Sequence, residues 1–310
     1  MDFRIFIEPQ QGTSYDAVRA LAQASERLGF NGFFTSDHYL RMGDADGQPG
    51  PLDAWTTLAG LARDTERIRL GTLVTPVTFR HPGSLAIQAA QVDHMSGGRV
   101  EIGIGAGWYD AEHAATGIPF PPLGERFSQL EEAADILTGM WATPTGELYS
   151  YPGTHFQIVD SPALPKPAQS PSPPFIVGGR GRHRTPRLAA RIASEFNVGF
   201  ESVDTWTKIV DNVKAACGRN DRNPDELVYS VALVVCLGQG EAAFARRAAA
   251  IGREPAELRQ NGVAGSAAEA AATIAQFAEA GCDRMYLQYL DIDDLDQLDE
   301  VAALVAPFTT

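Results

Sequence analysis

Four short stretches carry residue types that can hold a cofactor or move a proton. The first is Asp37-His38, a carboxylate beside an imidazole. Imidazole titrates near neutrality, so His38 can donate or accept a proton beside a redox group; the plainer alternative is that Asp37 orients and satisfies it. The second is Leu70-Gly71-Thr72-Leu73-Val74-Thr75-Pro76, an apolar run that ends at a proline. The third is Ser96 to Trp108, where Val100, Ile102 and Ile104 have strand spacing and Gly103, Gly105 and Gly107 remove side chains from the exit. Bare main chain there can approach something flat or anionic. The same glycines would also relieve crowding in a strand buried on both faces. The fourth is Gly178-Gly179-Arg180-Gly181-Arg182, whose free amides and guanidinium groups suit a phosphate. Against this, Arg182, Arg184 and Arg187 can be read as solvated charges at a helix start.

Other chemistries lack their residues. A dinucleotide fingerprint needs a third glycine where Trp108 stands, and Trp blocks the close helix–strand packing that this glycine allows. His38, His81 and His113 lack metal-site spacing, so no metal is expected. The acidic run Asp291, Asp293, Asp294, Asp296, Asp299 and Glu300 lacks the ligand order of a calcium loop and reads as a solvated helix start. No G-x-S-x-G is present and no Cys adjoins a candidate base, which leaves acyl-enzyme chemistry unsupported.

The elements that must position these groups alternate. Strands are predicted at 3–7, 32–36, 68–74, 100–104, 175–177, 195–198, 228–237 and 284–289. Helices are predicted between them, with Ser14 or Thr13 as the first cap, Asp53 opening the second helix, and Ser266 with Glu269 forming a capping box. Residues 39–51 and 75–82 read as loops. Residues 142–174, rich in proline and carrying a hairpin around Pro152-Gly153, read as an insertion, since the alternation resumes afterwards. Eight strands alternating with helices over residues 1–310 predict one α/β domain, an enlarged (β/α)8 TIM barrel; a doubly wound sheet is the competing architecture. In a barrel the four stretches fall at the C-terminal ends of strands two to five, where function sits.

Composition narrows the partners. The chain has 310 residues, 44% of them hydrophobic and 21% charged, enough apolar content for a packed core. A formal net charge of −14 without a basic cluster disfavours nucleic acid and anionic membranes. Three scattered cysteines, Cys217, Cys236 and Cys282, suit a reducing compartment. With no signal-peptide pattern and no membrane-length apolar run, a cytoplasmic location is expected.

The chain also resembles the luciferase-like monooxygenase superfamily, and within it the coenzyme F420-dependent oxidoreductases. The resembling segments include Glu26-Arg27-Leu28-Gly29-Phe30, Ser36-Asp37-His38, Phe79-Arg80-His81-Pro82, Asp93 to Arg99, Gly103 to Trp108, Gly124-Glu125-Arg126-Phe127 and Pro173 to Gly179. The resemblance implies a barrel that binds coenzyme F420, or alternatively FMN, at the strand C-terminal ends. It implies a non-proline cis peptide at Leu73–Val74, with Thr72–Leu73 as the next candidate. The implied cofactor contacts are Asp37, His38, Thr72, Leu73, Val74, Gly105, Ala106, Gly107, Gly178, Gly179 and Arg180, with His38 as the catalytic proton carrier. On the substrate side Glu8, His81 and Trp108 are expected. Trp108 stands where the sugar-phosphate dehydrogenases of this group have a glutamate, which implies a more apolar pocket. The expected activity is hydride transfer between F420 and a small organic substrate. The alternatives are an FMN-dependent two-component monooxygenase and a non-catalytic flavin-binding protein, and a homodimer is expected in each case.

Overall fold

The eight predicted strands all form, and they close. In this computed structural model, which describes residues 1–43 and 45–309, they are β1 (Asp2–Ile7), β2 (Gly32–Thr35), β3 (Arg69–Thr72), β4 (Val100–Gly105), β5 (Phe175–Gly178), β6 (Glu195–Gly199), β7 (Val228–Leu237) and β8 (Arg284–Gln288). Asp44, within the predicted 39–51 loop, and Thr310 lie outside the described residues. Each strand pairs in parallel with the next in this order. The last, β8, pairs with the first, as in Phe3 opposite Met285 and Phe6 opposite Gln288. That final pairing excludes the doubly wound sheet and makes an eight-stranded parallel barrel.

Alternation along each strand sorts the side chains. Outward positions such as Ile5, Ile7, Phe33, Leu70, Val100, Ile102, Phe196, Val231 and Leu287 join the main core under the helices. Inward positions at mid-height, Phe6, Phe34, Ile176, Ala232 and Tyr286, form a separate apolar cluster, with Leu73 packed partly on it. Extending the alternation by one position along each strand gives the inward residues nearest the C-terminal end: Glu8, Ser36, Leu73, Gly105, Gly178, Gly199, Val234 and Gln288.

The helices begin where capping chemistry allows. Ser14 accepts a hydrogen bond from the Ala17 amide, Asp53 from Thr56, and Ser266 with Glu269 completes the reciprocal box. The 142–174 segment carries the expected hairpin, Tyr149–Pro152 against Gln157–Ser161, antiparallel. Three helices were not read from the sequence as such: Asp110–Thr116, Pro255–Asn261 and Leu295–Val305, the last starting inside the acidic run with Asp294 as its cap. Two short strands were also missed. Thr75–Pro76 pairs with Ile104–Gly105, and Val263–Gly265 pairs with the end of β7. Among the described residues no helix is long and apolar enough to cross a membrane.

Candidate active site

The Leu73–Val74 peptide is cis, at the position the resemblance implied. Val74 then tucks against β4. A Cβ placed on Gly103 would lie 2.2 Å from the Thr72 carbonyl oxygen and 2.7 Å from Val74 Cγ1; one on Gly105 would lie 2.8 Å from Val74 Cγ2. Crowding relief is therefore what these two glycines do, because the room they leave is filled by Val74. Gly178 and Gly199 differ. A Cβ there would meet nothing closer than 3.6 Å and 4.0 Å, so the space they free belongs to the barrel mouth. Both are partly exposed, as are Leu73, Val74, Ala106 and Gly179.

His38 stands on the exit from β2 with its side chain 15% exposed. Its Nδ1 lies 2.9 Å and 3.1 Å from the carboxylate oxygens of Glu112, which also accepts the Tyr39 amide at 3.0 Å. Glu112 is buried on the Asp110–Thr116 helix. A carboxylate can only accept, so the Nδ1 proton is directed at Glu112 and Nε2 is the ring atom left for other work. Trp108, two-thirds exposed, presents an edge-to-face contact to His38 at 5.9 Å and stacks on Tyr109 at 5.2 Å. The structure thus brings His38 and Trp108 together, as expected.

Asp37 faces the other way. Its carboxylate is fully buried, accepts from Thr75 Oγ1 at 2.8 Å and pairs with Arg80. Arg80 also pairs with Asp53 and donates to the Tyr39 hydroxyl at 2.9 Å. Burial pushes the Asp37 carboxyl above its usual range, while Arg80 and Thr75 pull it back. One of its oxygens, Oδ1, is buried without a hydrogen-bond partner. His81 is also engaged locally: its Nδ1 accepts from the Gly83 amide at 3.2 Å as the cap of the Pro82–Ser96 helix, and its ring meets Phe156 of the insertion at 5.3 Å.

The glycine-rich exit of β4 is held by Arg126. Its guanidinium donates to the Ala106 carbonyl at 3.1 Å and lies 3.7 Å from the Phe120 ring centre. Gly107 takes φ +76°, a left-handed turn that a side chain would strain. Beyond β5, Gly179 has φ +137° and its amide donates to Asn197 O at 3.2 Å. Arg180 is exposed, pairs with Glu201 at 2.7 Å and donates to Gly199 O at 2.9 Å. The Arg184–Ile192 helix that follows starts without a side-chain cap, leaving its first amides for another acceptor.

Sequence reasoning named most of these residues but not Glu112 or Arg80 as partners of the Asp37-His38 pair. Both lie in motifs that were legible, Glu112-His113 and Arg80-His81-Pro82; only the fold shows what they touch. His113 is buried, 2.7 Å from both Thr78 Oγ1 and the Tyr109 carbonyl. Among the described residues no three His, Cys, Asp or Glu side chains are grouped to hold a metal.

A sequence model of the luciferase-like monooxygenase family matches residues 1–281, and the chain belongs to that family. Among individual relatives, the F420-dependent glucose-6-phosphate dehydrogenase of Microbacterium testaceum is 38% identical over 174 residues, covering 56% of this chain and 49% of the relative. The FMNH(2)-dependent dimethylsulfone monooxygenase of Pseudomonas putida is 28% identical over 214 residues, covering 69% of this chain and 57% of the relative. The chain thus spans about half the length of these curated relatives. The fold matches an F420-dependent secondary alcohol dehydrogenase solved with an F420-acetone adduct, with TM-score 0.83, 17% identity and 98% of each chain covered. It also matches a long-chain alkane monooxygenase, with TM-score 0.81, 17% identity and coverage of 99% of this chain and 91% of the other. Relatives that use F420 and relatives that use FMN are both represented.

Proposed function

We propose that this chain is an oxidoreductase that transfers a hydride between the deazaflavin coenzyme F420 and a small organic substrate at the C-terminal mouth of the barrel. The observation that carries the reading is His38: buried Glu112 engages Nδ1, and Nε2 remains to hold or move a proton at a partly exposed position. Three further features fit a flat ring with an anionic tail. Gly178 and Gly199 leave uncrowded main chain at the rim, Asp37 Oδ1 is buried without a partner, and an uncapped helix start follows Arg182. Thr72, Leu73, Val74, Ala106, Gly178 and Gly179 would line the ring; Gly105, Gly107, Arg180 and Asp37 would support those that do. A coenzyme bound there supplies the redox chemistry. The protein's part is to orient it, keep water away with Trp108 and Tyr109, and exchange a proton at His38 Nε2.

The second reading keeps the site and substitutes FMN in a two-component monooxygenase. The Pseudomonas putida relative, which covers more of this chain than the F420-dependent one, favours it. Separate fluorescence titrations with F420 and FMN distinguish the two. Saturable binding of F420 is expected; tight FMN binding with no response to F420 overturns the first reading.

A further inference from the structure

The inward-facing residues at the mouth fall into two sides. On β4, β5 and β6 they are glycines; on β1, β2 and β8 they are Glu8, Ser36 and Gln288. The glycine side suits a ring, and the polar side has no task in the reading above. Ser36 is buried and already donates to Gln10 Oε1 at 2.7 Å, and Gln288 is buried. Glu8 is the member of this side that stays partly exposed.

Glu8 continues the inward row of β1 after Arg4 and Phe6, one step beyond the pairing of Ile7 with Thr35. This sets it level with Ser36, two residues before His38 on the neighbouring strand exit. Its chemistry differs from that of the other inward carboxylates. Glu101 and Glu195 are buried at the opposite end and ion-paired with arginines. Beside Glu8 lie the amides of Gln11 and Gln288, with His38 and Arg253 beyond ion-pair reach among the described residues. Burial pushes its carboxyl above the usual range, and His38 and Gln11 draw it back. A neutral carboxyl can donate to a carbonyl oxygen and accept from a hydroxyl, whereas a carboxylate can only accept. Trp108, on the other flank of His38, offers an exposed apolar face.

We propose that Glu8 is the specificity-determining residue of this mouth: its carboxyl hydrogen-bonds the oxygen of an uncharged carbonyl or hydroxyl compound whose apolar body lies against Trp108. This rests on the mouth being the redox site. A site built to hydrogen-bond an oxygen discriminates against a same-shaped molecule lacking it, because the buried polar group is then left unpaired.

The test compares cyclohexanone with methylenecyclohexane, which has the same ring and no oxygen, by tryptophan fluorescence of the full chain. Trp108 is the exposed tryptophan; Trp55, Trp141 and Trp206 are buried. Titrations are run on the chain alone and after saturation with F420 or FMN. Glu8→Met is expected to weaken cyclohexanone binding by about three- to tenfold, with methylenecyclohexane unchanged, and Glu8→Gln to stay within about twofold of wild type for both. A Glu8→Met chain that keeps the wild-type preference for the ketone overturns the proposal, as does a wild-type chain with no such preference. Failure of wild type to bind either cofactor overturns the reading of the mouth instead, and the unloaded titrations still judge Glu8.

Discussion

The two ends of this barrel are built from the same eight strands and filled with opposite chemistry. At the N-terminal end the inward residues are large and charged. Arg4 pairs with Glu101 at 2.5 Å and with Asp2 at 3.1 Å; Arg69 pairs with Glu101, and Arg284 with Glu195 and Asp2. Tyr286 and Ser230 donate to Glu195. Three guanidinium groups and three carboxylates thus satisfy one another in a largely buried plug. At the C-terminal end the corresponding positions are Gly105, Gly178 and Gly199, opposite Glu8 and His38. A cavity of about 830 Å³ opens beside the plug, lined by Arg69, Glu101, Gln169 and Arg284 among others, yet nearly all its deep polar groups are already paired. The comparison teaches that concavity alone does not mark a site. Groups with unspent hydrogen-bonding capacity do, and these are at the mouth.

The largest expected effect sharpens the contrast from the mouth. His38→Ala should lower turnover by about 10²–10⁴-fold while changing cofactor affinity only a few-fold. Steady-state kinetics and cofactor titration check both halves; unchanged turnover on a true substrate removes His38 from proton transfer. At the other end, Glu101→Gln should cost about 3–5 kcal/mol of stability, read as a lowered urea midpoint at pH 7, because it breaks a buried pair and leaves Arg4 short of its partner. Cofactor affinity of the folded fraction should not change.

The same residue gives a pH signature. Burial alone would raise the Glu101 carboxyl, but Arg4, with Arg284 and Arg69, holds it down at about 2, below its ordinary 4.5. A carboxyl depressed in the folded state stabilises above its unfolded value, and that contribution is lost as pH falls from about 4.5 towards 2. Urea midpoints should therefore decline across this window in wild type and decline less in Glu101→Gln. The smallest effect returns to the mouth. Gly178→Ala adds a Cβ whose nearest neighbours are 3.6 Å and 3.9 Å away, so stability should hold within about 1 kcal/mol while cofactor affinity falls about tenfold. Equal loss of both would mean that the glycine serves packing, as Gly103 does.

Much of the barrel was legible because its signals are local. Val100, Ile102 and Ile104 announce a strand, and Ser266 with Glu269 announces a helix start, within a few residues. The mouth was legible as a set of strand ends once eight strands were counted. What was not legible depends on contacts across the fold. Glu112 reaches His38 from 74 residues away, Arg4 reaches Glu101 from 97, and Tyr286 lies 282 residues from Arg4. The Val263–Gly265 strand is three residues of Val-Ala-Gly, too short for a pattern to register. Asp37 shows the limit most clearly. Its neighbour His38 turns to the mouth, but alternation turns Asp37 outward to Thr75 and Arg80, so adjacency in sequence separates the pair in space.

The most direct test of the account is a crystal structure of the full chain soaked separately with F420 and with FMN. Cofactor density against Leu73, Val74 and Gly178, beside the Nε2 side of His38, is the result expected. Density in the cavity lined by Arg69, Gln169 and Arg284 with the mouth unchanged would contradict it.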